Sequence, residues 1–171
     1  MKTSREFAEQ QPSSWTIAPV ARDEVADIKR LFLRLHLHNA NLDPRFALAE
    51  DWERHFTALI ECALTGRDHL ALLARDQGRP AGFLLAGVHS DSPMWQHREW
   101  AEIMALYVER PWRGTGLADD LAGRALNWAA ELGLPAVQLY VTASNARAMR
   151  FYERQGFNPA QVIMRTLLPV G

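Results

Sequence analysis

Residues 106–118 read Leu-Tyr-Val-Glu-Arg-Pro-Trp-Arg-Gly-Thr-Gly-Leu-Ala. A β-type run ends near Val108, a basic stretch with two glycines follows, and an amphipathic helix opens at Leu117. The first turn of a helix presents backbone N–H groups with no internal acceptor and carries roughly half a positive charge. Gly114 and Gly116 let the backbone curl so that these N–H groups converge on an anion, with no Cβ in the way. Arg110 and Arg113 add guanidinium groups suited to phosphate oxygens. The segment therefore reads as a phosphate-binding helix start. It matches neither common nucleotide loop. No Lys follows the second glycine, as the G-x-x-x-x-G-K-[ST] spacing requires, and the last glycine of G-x-G-x-x-G is replaced by Asp119. A tight turn with no ligand is the other reading of these residues taken alone.

Outward from this loop, the second half of the chain reads strand, helix, strand, helix, strand. Trp100–Val108 is a strand, and Leu117–Leu132 is a helix with Leu117, Leu121, Trp128 and Leu132 along one stripe, closed by Gly133 and Pro135. Ala136–Val141 alternates as a strand, Ala146–Gln155 is a helix ended by Gly156, and Gln161–Leu168 is a last strand. The first half opens with a polar tail, Met1–Ser14, and an edge strand over Trp15–Val20. A helix starts at Asp23 and Glu24 and ends in the turn-rich stretch His36–Pro44. A second helix runs from about Ala49 to Leu64, and His69–Arg75 with Ala81–Val88 makes a β-hairpin. This order predicts one mixed α/β domain over residues 15–168, with antiparallel strands first and βαβ connectivity after.

Two motifs in this order resemble the GNAT superfamily of acyl-CoA-dependent N-acetyltransferases. Arg113-Gly-Thr-Gly-Leu-Ala118 fits the family's [R/Q]-x-x-G-x-[G/A] signature. Asn145-Ala-Arg-Ala-Met-Arg-Phe-Tyr152-Glu-Arg-Gln-Gly-Phe157 fits its N-x-x-A-x-x-[FL]-Y-x-x-x-G-F element. The resemblance implies a mixed, mostly antiparallel sheet with helices on both faces, splayed between the strand ending at Val108 and the strand Ala136–Val141. It implies acetyl-CoA as co-substrate, with Arg113, Gly114, Thr115, Gly116, Leu117 and Ala118 on the pyrophosphate. The main-chain groups of Leu106 and Val108 would hold the pantetheine arm, with Asn145 assisting. The acceptor would be a primary amine on a small molecule or peptide, attacking directly in a ternary complex, and many members are homodimers. A non-catalytic acyl-CoA sensor remains the second reading.

Acetyl transfer to an amine needs a group that takes the ammonium proton, since an ordinary lysine-like amine has a pKa of about 10.4. Glu102 is the candidate base. Unbroken alternation puts it on the face shared with Trp100, Met104 and Leu106, and an apolar setting would raise its pKa. A solvated edge carboxylate is the competing reading, and a bulge would break the face assignment. Tyr152 is the candidate acid for the departing sulfur, the role that the resemblance assigns it. Asn145 also fits as a helix N-cap. Cys62, among Leu59, Ile60, Ala63 and Leu64, reads as a buried inert thiol. His36 and His38 fall where the family's first helices cover the acceptor side.

Composition bounds the partners. Nineteen Lys and Arg against 20 Asp and Glu leave a net charge of −1, with no cationic field for nucleic acid. The six histidines show no metal-ligand grouping, so no metal is expected. One cysteine permits no internal disulfide and fits a reducing cytoplasm. No apolar run is long enough to span a membrane.

Overall fold

The protein is described here by a computed structural model covering residues 14–166 and 168; apart from Ser14, the expected tail lies outside the described residues. The chain forms two compact units, one running to Tyr140 and one from Val141. The first holds β1 (Trp15–Pro19), α1 (Val25–Leu42), α2 (Trp52–Thr65), β2 (His69–Asp76), β3 (Arg79–Ser90), β4 (Glu99–Val108), α3 (Leu117–Glu131) and β5 (Val137–Leu139). The second holds α4 (Ala146–Arg154).

The five strands lie in sequence order, antiparallel from β1 to β4, with β5 parallel to β4. Both faces are covered. Ala71, Leu73, Phe83, Leu85 and Ala105 meet Ile28 and Leu31 of α1 and Phe56 and Ile60 of α2. On the opposite face α3 packs over β2, β3 and β4 and buries Leu117, Leu121, Ala122, Ala125 and Ala129. Fully burying a side chain such as Phe83, Leu84 or Leu85 contributes roughly 1.5–3 kcal/mol relative to exposure. Small alanines on α3 let the helix axis approach the sheet closely. The expected stripe holds at Leu117 and Leu121, whereas Leu132 lies past the helix end and is exposed.

Four expectations need correction. The helix α1 does not stop near His36 but continues to Leu42, where Asp43 N–H donates to the Asn39 carbonyl at 2.9 Å and Pro44 blocks continuation. Over the expected strand Gln161–Leu168 no strand is found among the described residues: 161–166 and 168 lie outside any element and are exposed. Apolar alternation alone does not make a strand; the ladder hydrogen bonds of a neighbouring strand are needed as well. Cys62 is exposed, because it lies about half a turn round α2 from the buried Ile60. Finally, the alternation of β4 is broken by a bulge. Leu85 pairs with Ala105 and Ala86 with Ile103, so Met104 is an extra residue.

Candidate functional site

The loop between β4 and α3 is held from several sides. After Val108 comes a 3₁₀ turn, Arg110–Trp112, in which Trp112 N–H donates to the Glu109 carbonyl at 3.0 Å. The Trp112 indole N–H donates to Asp76 at 2.9 Å, and the Arg79 guanidinium lies over its ring at 5.7 Å. The Thr115 hydroxyl donates to the Trp112 carbonyl at 2.7 Å. Gly116 caps α3 with φ of 98°, a left-handed backbone that a residue with a Cβ adopts only at a cost. The first α3 bond runs from Asp120 N–H to the Gly116 carbonyl at 3.0 Å, so the N–H groups of Leu117 and Ala118 precede the helical ladder. These are the donors that the sequence assigns to an anion.

Arg113 is folded back onto the strand it follows. Its Nε donates to the Val108 carbonyl at 2.9 Å and its guanidinium sits 5.5 Å over the Tyr107 ring. Tyr107 O–H donates to Glu109 at 3.4 Å, and Glu109, only 8% exposed, is paired with Arg34 from α1. Burial pushes the Tyr107 phenol above its ordinary value, with the Glu109 charge adding to the effect. Sequence reading missed this chain of Arg34, Glu109, Tyr107 and Arg113. No local pattern links α1 to residue 109; the packing of α1 on the sheet brings them together.

Among the described residues of the first unit, no strand pairs with the second half of β4 along one of its edges. Its parallel partner β5 pairs with Ala101, Glu102 and Ile103 and with no residue beyond. Glu109 N–H donates to the Ala81 carbonyl at 2.8 Å, and antiparallel alternation then directs the main-chain groups of Ala105 and Tyr107 towards β3. Those of Leu106 and Val108 point to the open edge. Arg113 already occupies the Val108 carbonyl, which leaves the Val108 N–H and both groups of Leu106 for another partner. An edge like this accepts an extended, amide-bearing ligand in the way it would accept a further strand.

The bulge decides which way Glu102 faces. Gly87 pairs with Glu102 and with His69, and His89 pairs with Trp100, so these side chains share the α1–α2 face with Met104. Leu106, beyond the bulge, turns to the α3 face; grouping it with Glu102 is therefore incorrect. Glu102 is 22% exposed, with its Oε2 4.0 Å from His89 Nδ1. The His89 ring stacks on Trp100 at 4.5 Å, and the buried Trp100 indole N–H has no partner among the described residues. His36 is half-buried against Phe32 at 4.3 Å, and burial lowers its pKa. His38 is exposed.

In the second unit, the Asn145 side chain accepts from Ala148 N–H at 3.1 Å and so caps α4. Tyr152 meets Phe151 and Phe157 edge-on, at 5.0 and 5.6 Å. Burial pushes its phenol up to about 12.

The sequence matches the Acetyltransferase (GNAT) family over residues 21–157. The chain belongs to that family. As a GNAT protein it is 28% identical over 152 residues to an uncharacterized N-acetyltransferase of Methanocaldococcus jannaschii, covering 88% of this chain and 63% of that one. It is 37% identical over 91 residues to a mycothiol acetyltransferase of Kocuria rhizophila, covering 52% of this chain and 28% of the relative. The chain thus spans less than two thirds of the length of these relatives. Among solved structures, AAC(6')-Iy in complex with a CoA bisubstrate analogue superposes with a TM-score of 0.69 at 15% identity, over 91% of this chain and 99% of that one. That likeness is one of fold. It agrees with the mixed sheet flanked by helices. No helix among the described residues is long and apolar enough to cross a membrane.

Proposed function

We propose that this GNAT protein transfers an acetyl group from acetyl-CoA to a primary amine of a small molecule or peptide, by direct attack with both substrates bound. The observation that carries the reading is the continuity of one surface. The open main-chain edge at Leu106 and Val108, against which Arg113 is folded, leads into the glycine-shaped start of α3 with its N–H groups. An extended chain of amides fits the first, and a diphosphate fits the second. Asn145 assists the pantetheine arm only with the part of its amide not engaged in capping α4.

Acetyl-CoA supplies an acetyl group already activated as a thioester. Glu102 takes the ammonium proton, because the amine attacks only when neutral. It stands beside Ile103, the last residue paired with β5, on the same face as Met104 where the open edge begins. Tyr152 gives its proton to the departing sulfur. A phenol held near 12 stays protonated throughout the neutral range, as a donor must. We place the reaction in the cytoplasm, where Cys62 stays a thiol. We also expect the homodimer common in the family, which light scattering reads.

The test is calorimetry with acetyl-CoA followed by thiol-release assays on a panel of amines. Binding with turnover on at least one amine is expected. Absence of binding refutes the donor assignment, and tight binding without turnover on any amine leaves an acyl-CoA sensor instead.

A further inference from the structure

We propose that His89 is the outlet through which the proton taken by Glu102 leaves for water, with the imidazole held in place by Trp100. The proposal rests on the acetyl-transfer reading above. It starts from a polar end of the α1–α2 face where three strands bring ionisable groups together: His69 on β2, His89 on β3 and Glu102 on β4. Beside β4, Gln138 of β5 donates to the Tyr140 hydroxyl at 3.2 Å. At the strand ends the loops bring in Arg67 and Asp68, whose carbonyl accepts from Val88 N–H, and Asp91, whose N–H donates to the Arg98 carbonyl.

Three features single out His89. Its Nδ1 lies 4.0 Å from Glu102 Oε2, a gap that a small rotation or one bridging water closes. Its ring is stacked on Trp100 at 4.5 Å with planes 26° apart, so the imidazole is oriented by packing. Its side chain is 46% exposed against 22% for Glu102, which makes the histidine the member of the pair in contact with solvent. Gly87 keeps the approach to Glu102 low. A Cβ there would stand 3.2 Å from the His69 ring and 3.4 Å from the Met104 methyl.

The proton balance is simple. The Glu102 carboxylate accepts a proton from the substrate ammonium and leaves a neutral amine. The carboxylic acid passes that proton to His89 Nδ1, which restores the carboxylate, and the imidazolium releases a proton to water. Imidazole is as a class a stronger base than carboxylate, so the second transfer runs in the favourable direction. His89 acts through Glu102 and is a positioning and relay residue.

Two measurements test this. In the unliganded protein, Glu102→Gln should move the NMR signals of the His89 ring, because the two groups adjoin at 4.0 Å; unmoved ring signals overturn the coupling. With both substrates, His89→Gln should lower kcat about tenfold at unchanged KM for the amine. Its acid limb in the pH profile should be displaced, and added imidazole should restore His89→Ala. A full kcat in His89→Gln, or a loss in His89→Ala that imidazole does not relieve, overturns the relay while acetyl transfer stands. Turnover absent in the unsubstituted protein refutes both together.

Discussion

Replacing Gly116 by alanine isolates the backbone shape of the loop from everything around it. At φ of 98°, a Cβ built on Gly116 meets no atom within 4 Å, so the cost of the substitution is conformational rather than steric. A left-handed residue with a Cβ costs about 1–2 kcal/mol. Gly123, inside α3, is the matched control. Its Cβ also meets nothing within 4 Å, but its φ is helical, and alanine there should gain about 0.5–1 kcal/mol. The two variants should therefore differ by about 2 kcal/mol, and their urea midpoints should stand about 1 M apart for a domain of this size. Calorimetry adds the second half. Where the strained loop relaxes, at least one N–H of Leu117 or Ala118 turns away, and a hydrogen bond to a charged group is worth about 1.5–3 kcal/mol. Acetyl-CoA affinity should then fall about 10- to 100-fold in Gly116→Ala and stay unchanged in Gly123→Ala. Midpoints that move together, with equal affinities, would show that the left-handed cap does not shape the loop.

Three further substitutions probe other parts of the molecule. Arg113→Ala removes the guanidinium over Tyr107 and should weaken acetyl-CoA binding at least tenfold; an unchanged dissociation constant removes Arg113 from the donor site. Tyr152→Phe should lower kcat by about 10²-fold with little change in acetyl-CoA affinity. The same variant should lose a phenol ionisation near 12 in ultraviolet titration, and loss of one at an ordinary value would contradict its burial. His36, lowered by burial, binds its proton more readily in the unfolded chain than in the folded one. Stability should thus decline as pH falls through the ordinary imidazole range, and His36→Phe should flatten that decline in urea melts at pH 5 and 7; an unaltered slope would exclude His36 as its source.

Local patterns in the sequence carried the order of strands and helices and the helix start at Leu117, because Gly, Pro and apolar spacing act over a few residues. The expectation that Leu106 and Val108 present main-chain groups to a ligand comes from the family resemblance, not from local spacing. What stayed hidden depends on partners distant in the chain. The bulge at Met104 reflects how β3 and β4 settle against each other, and it reversed the face on which Leu106 was expected. Arg34 reaches Glu109 only because α1 crosses the sheet. Cys62 shows the same limit on a helix: neighbouring apolar residues say little about which way one side chain points.

The supernumerary Met104 divides β4 in two. Residues before it obey one parity and residues after it the other, so a single strand serves a carboxylate to one layer and a free main-chain edge beside another. Excising that one methionine would leave composition and apolar character almost untouched. It would also leave Glu102 on the α1–α2 face and the main-chain groups of Leu106 and Val108 at the open edge, because Ile103 and Ala105 already pair with consecutive residues of β3. Insertions and deletions are usually absorbed in loops; in this protein a strand has absorbed one extra residue as a bulge, with the pairing on both sides kept.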